Sequence, residues 1–325
     1  MQYRNFGRLK WKVGVMGYGM WGMAGWTESD DKETAIALDK SVELGCNFFD
    51  TAWAYGAGKS EKILADLLKR QSDKKLYIAT KVPPKNHQWP PIKGSSIKDV
   101  FPAEHIVEYT EKSLKNLGVE TMDLQQFHVW EDDWANSDEW KSVIEKLKRE
   151  GKVQAFGISV NRWEPINCIK ALDTGLIDSI QVIYNIFDQS PEDELFPYCS
   201  KNDIAIIARV PFDEGSLTGM LTKESAWPKG DFRNIYFCKE NLDPTIDRVE
   251  ALKKVVPAGM TLPELALKFI KEESAVSTII PGMRKIINVE NNMKSGSVSA
   301  GHLSAETIAE LRKHRWDRLP SSWSC

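Results

Sequence analysis

Short apolar runs alternate along the chain with longer segments in which apolar residues recur every three or four positions. The runs predict strands, and the recurring positions predict amphipathic helices. Strand-like runs such as Ile204–Ala208 lack polar alternation, which is typical of strands buried on both faces of a sheet. The predicted strands are Val13–Met16, Asn47–Asp50, Lys75–Lys81, Met122–His128, Gln154–Ser159, Ser179–Ile183, Ile204–Ala208 and Thr278–Ile280.

A helix-like segment follows every predicted strand. These segments are Lys32–Leu44, Ser60–Arg70, Pro102–Leu117, Asp138–Glu150, Trp163–Leu172, Pro191–Ser200, Ile246–Val255, Leu262–Lys271, Ile286–Met293 and Ser304–Trp316. The repeated βα unit predicts an α/β fold, a (β/α)8 TIM barrel with long loops and the active site at the C-terminal face of the strands. We expect one domain over residues 1–325. A doubly wound sheet would need a phosphate-binding glycine fingerprint, and Gly17–Gly22 is interpreted instead as the loop after the first strand.

Charge and composition exclude several classes of protein. The chain has 325 residues and a net charge of -3, so nucleic acid is not an expected partner. No apolar run approaches the length of a membrane span, and the first residues lack the profile of a signal peptide. The five cysteines are odd in number and contain no C-x-x-C pair, which argues against a disulfide framework. We therefore expect a cytoplasmic protein that does not bind membranes.

Four chemically complementary side chains lie at or near predicted strand ends: Asp50, Tyr55, Lys81 and His128. A carbonyl oxygen that receives a hydride also needs a proton, and a free tyrosine, with a pKa of about 10, is a weak acid. A neighbouring lysine stabilises the phenolate and lowers that pKa. Asp50 can hold Lys81 charged and in place, while His128 can hydrogen-bond to the carbonyl oxygen. The set is suited to general acid catalysis of carbonyl reduction.

The stretch Gly45–Gly56, which reads G-x-N-F-F-D-T-A-x-x-Y-G, together with Lys81 and His128, resembles the catalytic tetrad of the aldo-keto reductases. The resemblance covers nearly the whole chain. It implies an NADPH-dependent oxidoreductase that reduces an aldehyde, ketone or sugar carbonyl to an alcohol. Tyr55 would be the general acid, assisted by Lys81, Asp50 and His128.

The same resemblance implies contacts with the nicotinamide cofactor. The family's carboxamide contacts correspond to Ser159, Asn161 and Gln181, although Val160 separates the first two here. Arg209 replaces a tyrosine that stacks on the nicotinamide, and a planar guanidinium can also stack. The loop after strand seven is expected to contact the cofactor as well, through Pro211, Gly215, Leu217 and Gly219. Its glycines let the backbone approach the pyrophosphate closely.

The adenosine end is expected after the last strand. The run Ile279–Arg284 resembles the family's I-P-G-x-R motif, and Arg284 suits a 2′-phosphate by bidentate pairing. This arginine favours NADPH over NADH. Further residues assigned to this end of the cofactor are Gly282, Asn288, Asn291 and Asn292, where Asn288 replaces the family's usual Gln and Asn291 its usual Glu.

The chain is rich in tryptophan, and Trp21, Trp26, Trp53, Trp89 and Trp130 lie in or near loops after early strands. Three of them, Trp21, Trp53 and Trp130, are predicted to line the pocket for a small carbonyl substrate. The segments Pro83–Pro102 and Phe212–Leu242 are predicted lids over the barrel. No interface signal indicates an oligomeric state.

Two other functions remain open from the sequence. A nicotinamide-binding regulatory subunit that senses redox state, like the channel-associated β subunits of the same family, would keep the same tetrad. A metal-dependent hydrolase would need histidine pairs at strand ends, and of the five histidines only His128 lies at such an end. No metal is therefore expected.

Overall fold

A computed structural model describes residues 1–23 and 31–318 of the chain, without the side chains of residues 31 and 32. The chain begins with an antiparallel hairpin of β1 (Tyr3–Phe6) and β2 (Trp11–Gly14). An eight-stranded parallel sheet follows, in which strands are neighbours in chain order. Its strands are β3 (Tyr18–Gly19), β4 (Phe48–Asp50), β5 (Tyr77–Val82), β6 (Met122–Phe127), β7 (Val153–Ser159), β8 (Ser179–Ile183), β9 (Ala205–Arg209) and β10 (Val276–Ile279).

The first and last strands of the sheet meet and close the barrel. Parallel bridges join Met16 to Ile279 and Gly19 to Gly282, and the Gly17 N–H donates to the Ile279 carbonyl at 2.8 Å. The predicted (β/α)8 barrel is confirmed. The first predicted strand, Val13–Met16, was wrong, because its apolar run is divided between the hairpin and the barrel.

Helices pack outside the strands. Their bounds are α1 (Asp31–Glu43), α2 (Lys59–Arg70), α3 (Ile97–Val100), α4 (Ala103–Leu117), α5 (Asp138–Arg149), α6 (Ile169–Asp173), α7 (Leu195–Lys201), α8 (Arg233–Tyr236), α9 (Lys239–Lys253), α10 (Leu262–Glu272), α11 (Ile286–Ser295) and α12 (Ala305–Arg312). Most lie within a few residues of the predicted bounds. The helix predicted over Trp163–Leu172 shrinks to α6, because Trp163 has a positive φ of 58° and Pro165 follows.

Apolar side chains fill the molecule in two layers. A small cluster inside the barrel includes Phe48, Leu124 and Ile207, and the hairpin seals its lower end with Phe6 and Val13. A larger cluster lies between the strands and the helices. The barrel is therefore apolar below, and its polar side chains lie at the carboxyl ends of the strands.

Two further observations concern membranes and cysteines. Across the ranges that the structure describes, no helix is both long and apolar enough to cross a membrane. Among the described residues, Cys46, Cys168 and Cys199 are buried and free.

Candidate active site

The predicted tetrad comes together at the carboxyl ends of three neighbouring strands. Asp50 is the last residue of β4, Lys81 lies near the end of β5, and His128 directly follows β6. Tyr55 lies in the turn between β4 and α2, where its N–H donates to the Ala52 carbonyl at 3.0 Å. Parallel strands direct their carboxyl ends to one face of the barrel, so residues far apart in the chain meet there.

A buried ion pair forms the centre of the site. Lys81 Nζ donates to Asp50 Oδ2 at 2.6 Å and to the Thr51 carbonyl at 2.7 Å. The side chains of Lys81 and Asp50 are 0% and 3% exposed. The lysine therefore has a fixed position, because two acceptors hold it and no water competes for it.

Tyr55 lies beside this lysine. Lys81 Nζ is 5.2 Å from the centre of the Tyr55 ring. Burial raises the pKa of the Tyr55 phenol above its ordinary value of 10.0 and is the largest effect. The charges of Lys81 and Arg209 lower this pKa, and the charge of Asp50 raises it. Lys81 lowers the pKa of Tyr55, as predicted, but burial raises this pKa by more. The phenol consequently remains protonated at neutral pH.

His128 faces the same space. Its ring centre is 5.7 Å from that of Tyr55, in an edge-on arrangement. Burial lowers the pKa of His128 well below its ordinary value of 6.5, and the positive charges of Lys81 and Arg209 lower it further. Within the described part of the chain, its buried Nδ1 has no hydrogen-bond partner. A neutral imidazole in this position can hydrogen-bond to an uncharged oxygen.

The residues predicted to hold the nicotinamide lie on the next strands. Ser159 ends β7 and pairs in register with Gln181 of β8. Gln181 Nε2 donates to Asp50 Oδ1 at 2.7 Å. Arg209 ends β9, and its Nη2 donates to the Val160 carbonyl at 3.1 Å. Buried Arg209 Nε has no partner among the described residues, so it can still donate to a ligand.

Asn161 lies beside these residues but its amide is already engaged. Its Nδ2 donates to the Trp130 carbonyl at 2.7 Å and to Glu164 Oε2 at 2.9 Å. Its Oδ1 accepts from the Trp130 N–H at 3.3 Å. In this arrangement Asn161 fixes the loop after β6, and its predicted contact with the carboxamide stays a prediction.

The loop predicted to follow the pyrophosphate has a strained backbone. Val210 has a φ of 55°, which is rare for a β-branched residue, and Glu214 and Gly215 have φ values of 53° and 110°. Pro211 is buried, and Leu217 is fully buried in the core. The N–H groups of Gly215, Leu217 and Gly219 donate to carbonyls within the loop at 2.9, 3.1 and 3.0 Å. A ligand would therefore contact the surface of this loop.

The residues predicted for the adenosine end surround the start of α11. Gly282 bridges to Gly19, and Arg284 packs against Gly22, where a Cβ would lie 3.4 Å from Arg284 Cδ. Asn288 and Asn291 are exposed on α11, whereas Asn292 is buried. The first N–H groups of a helix and a nearby arginine together favour a phosphate.

One of the predicted pocket tryptophans is placed elsewhere. Trp130 is 0% exposed and packs in the core against Phe127 and Trp140, so the prediction that it lines the pocket is corrected. Its position after β6 matches a pocket residue, but its side chain turns toward the helices.

The other tryptophans lie at the rim of the barrel. Trp53 is half-buried against Tyr109 of α4, with ring centres 4.6 Å apart. Trp21 is 41% exposed and meets the edge of Phe232 at 6.0 Å. Trp89 lies 5.8 Å from the His128 ring and is 46% exposed. Sequence reasoning placed Trp89 in a loop but did not select it for the pocket, and Trp26 lies outside the described residues.

The described side chains form no metal site. Among the residues whose placement is described, no group of three His, Cys, Asp or Glu side chains could hold a metal ion. The side chains that meet at the strand ends are instead those of an acid, an ammonium, a phenol and an imidazole.

Comparisons with known proteins find similar chains over nearly the whole length of this one. The model of the Aldo/keto reductase family matches residues 15–315. An NADH-specific methylglyoxal reductase of Escherichia coli is 28% identical over 314 residues, which cover 91% of this chain and 94% of that protein. An aldo-keto reductase of Schizosaccharomyces pombe named with NADP(+) is 26% identical over 93% of this chain and 88% of its own length. The holo form of an aldo-keto reductase from Bacillus halodurans has a TM-score of 0.77 and 27% identity, and covers 98% of both chains.

Proposed function

Because this chain belongs to the aldo/keto reductase family, a family of NAD(P)H-dependent oxidoreductases, we propose that it reduces an aldehyde, ketone or sugar carbonyl with NADPH. Tyr55 is the proton donor in this proposal. One observation carries it: Lys81 is fixed between Asp50 and the Thr51 carbonyl, with the Tyr55 ring 5.2 Å from its ammonium.

The described side chains fit a nicotinamide cofactor. Arg209 presents a buried Nε that has no partner in the described part of the chain. Ser159 and Gln181 pair in register with each other on the two preceding strands. These three residues would hold the nicotinamide end. A bound nicotinamide supplies the hydride. Tyr55 donates the proton to the carbonyl oxygen, His128 hydrogen-bonds to that oxygen, and Lys81 stabilises the phenolate.

The proton transfer follows from the charges at the site. Tyr55 is protonated at neutral pH, so it can donate to a carbonyl oxygen that gains negative charge. Lys81 stabilises the phenolate left behind, and Asp50 keeps Lys81 in place. His128, held neutral by burial, hydrogen-bonds to the same oxygen and orients it.

The preference for NADPH depends on Arg284. Its guanidinium precedes the first turn of α11, where a 2′-phosphate would meet both a cation and helix N–H groups. The relatives named above include one specific for NADH and one named with NADP(+). Arg284 is the feature of this chain that supports NADPH.

The proton-donor role is tested by Tyr55→Phe. We expect the rate of carbonyl reduction to fall by about a hundredfold to ten-thousandfold, since a positioned general acid contributes that much. The affinity for NADPH should stay nearly unchanged, because the hydroxyl serves the substrate. Turnover would be measured with a panel of carbonyls that includes methylglyoxal, and cofactor affinity by quenching of tryptophan fluorescence.

Tyr109→Phe is the matched control. Tyr109 is half-buried on α4 next to Trp53 and lies outside the tetrad, so its loss of a hydroxyl should leave turnover intact. Near-wild-type turnover in Tyr55→Phe would refute the assigned proton donor. A wild-type protein that binds NADPH but reduces none of the carbonyls would contradict the proposed activity.

A further inference from the structure

The second oxygen of Asp50 is held by two glutamine amides. Asp50 Oδ2 accepts a hydrogen bond from Lys81 Nζ. Asp50 Oδ1 accepts from Gln181 Nε2 at 2.7 Å and from Gln126 Nε2 at 3.2 Å. Gln126 is 0% exposed and Gln181 is 2% exposed. Each carboxylate oxygen of Asp50 thus has its own donors, and water is not needed to satisfy it.

Gln126 belongs to the same inward-facing layer as the lysine. In the parallel register it lies opposite Lys81 on one side and Gly157 on the other. A Cβ at Gly157 would lie 3.2 Å from Gln126 Cγ and 3.0 Å from the Ser179 carbonyl. The glycine therefore leaves the room in which the glutamine side chain lies. Gln181 reaches Asp50 from β8, on the far side of that gap.

The two glutamines also contact each other. Gln181 Nε2 is 3.5 Å from Gln126 Oε1, and Gln126 Nε2 is 3.5 Å from the Thr80 carbonyl. Gln126 thus touches the strand that bears Lys81, the carboxylate that holds Lys81, and the glutamine predicted to contact the cofactor.

We propose that Gln126 is a positioning residue of the reaction, which aims the Asp50 carboxylate so that Lys81 stays beside Tyr55. The proposal rests on the function proposed above. A buried carboxylate that loses a donor is left with an unsatisfied acceptor, which costs free energy. In our proposal the Asp50 carboxylate reduces that cost by turning toward its remaining donors. The remaining donors are Lys81 and Gln181. The carboxylate then draws the Lys81 ammonium away from the Tyr55 phenol.

The sign of the effect on the pH dependence follows. Lys81 lowers the pKa of Tyr55 against the opposing effect of burial. When the lysine acts less strongly, the pKa of the phenol rises, and the phenol becomes a weaker acid. Reduction then slows at neutral pH. The loss of reduction at high pH, which reflects deprotonation of Tyr55, shifts to still higher pH.

The test is Gln126→Met, which keeps the side-chain length and removes the amide. Single-turnover reduction with bound NADPH would be measured across pH, because it separates chemistry from product release. We expect the plateau rate to fall about tenfold, as for one lost hydrogen bond to a charged group. The upper limit of the pH profile should rise by about half a unit or more.

Gln125→Met is the matched control. Gln125 is the preceding residue, is equally buried, and faces the other side of the sheet, where its Nε2 donates to Thr110 Oγ1 at 3.2 Å. Its substitution should lower thermal stability without moving the pH limit. If Gln126→Met does not fold, Gln126→Asn keeps an amide but withdraws it from Asp50, and should shift the limit in the same direction.

The outcomes separate this proposal from the previous one. An upper limit that moves in the Gln126 variant and not in the Gln125 variant supports the positioning role. An unmoved limit, or equal movement in both variants, overturns it. Full turnover in Tyr55→Phe would instead contradict the proposed function, independently of Gln126.

Discussion

At the scale of the residue, the protonation states of Tyr55 and His128 depend more on burial than on neighbouring charges. Tyr55 and His128 are both shifted chiefly by loss of water, which favours the neutral phenol and the neutral imidazole. Lys81 and Arg209 act on both groups in the same direction, toward lower pKa values. The site therefore begins with a neutral acid beside a fixed cation, as reduction of a carbonyl requires.

Arg284 provides a test of cofactor preference at the same scale. Arg284→Ala should weaken NADPH binding more than NADH binding, by about 1.5–3 kcal/mol, the value of one charged hydrogen bond. The affinity for NADH should change little, because NADH lacks the 2′-phosphate. Dissociation constants from fluorescence titrations with the two cofactors measure the difference.

Lys285→Ala is the control for this comparison. Lys285 is the exposed cation next to Arg284 and carries the same charge. It should change both cofactor affinities only slightly. Equal weakening of NADPH and NADH by Arg284→Ala would remove the 2′-phosphate role.

At the scale of the element, the hairpin that seals the barrel requires a glycine. Gly7 has a φ of +48°, and a Cβ there would lie 2.5 Å from the Ala205 N and 2.6 Å from the Asp203 carbonyl oxygen. Both neighbours are backbone atoms, which cannot turn aside. Gly118, which ends α4, also has a positive φ of +67°, but a Cβ there meets nothing within 4 Å.

These two glycines form a matched pair. Gly118→Ala should cost about 1–2 kcal/mol of unfolding free energy, from backbone conformation alone. Gly7→Ala should cost clearly more, because a clash with β9 is added. Urea unfolding measures both, and activity well below the melting temperature should be unchanged in both. Equal losses of stability would show that the hairpin yields without strain.

At the scale of the whole molecule, a buried arginine near the end of the described chain joins distant loops. Arg318 Nη2 pairs with Asp188, after β8, and with Asp213 Oδ1, after β9, the latter at 2.8 Å. Its Nη1 donates to the Tyr236 hydroxyl at 2.9 Å. Arg318 and both carboxylates are at least 95% buried. The predicted cofactor loop, which contains Asp213, and the segments that contain Asp188 and Tyr236 are therefore joined by one cation.

Arg318→Met should destabilise the protein by about 3–5 kcal/mol near neutral pH, because it leaves two buried carboxylates without their cation. The loss of stability should become smaller as the pH falls, since the two carboxylates can then take up protons. Arg315→Met is the control: Arg315 pairs with Asp193 at the partly exposed surface, so about 0–1 kcal/mol is expected. Denaturant unfolding at two pH values checks both, and a deficit independent of pH would contradict the explanation.

The sequence by itself determined the βα alternation and the residue types at the strand ends. Periodicity is a local property, and parallel strands necessarily bring their carboxyl ends to one face, so Asp50, Lys81 and His128 could be expected together. Tertiary structure decided the rest: that Trp130 is core, that the amide of Asn161 holds a loop, that burial outweighs Lys81 at Tyr55, and that Gln126 reaches Asp50. Each of these depends on which distant side chains exclude water or fill a gap, and the local order of residues does not contain that information.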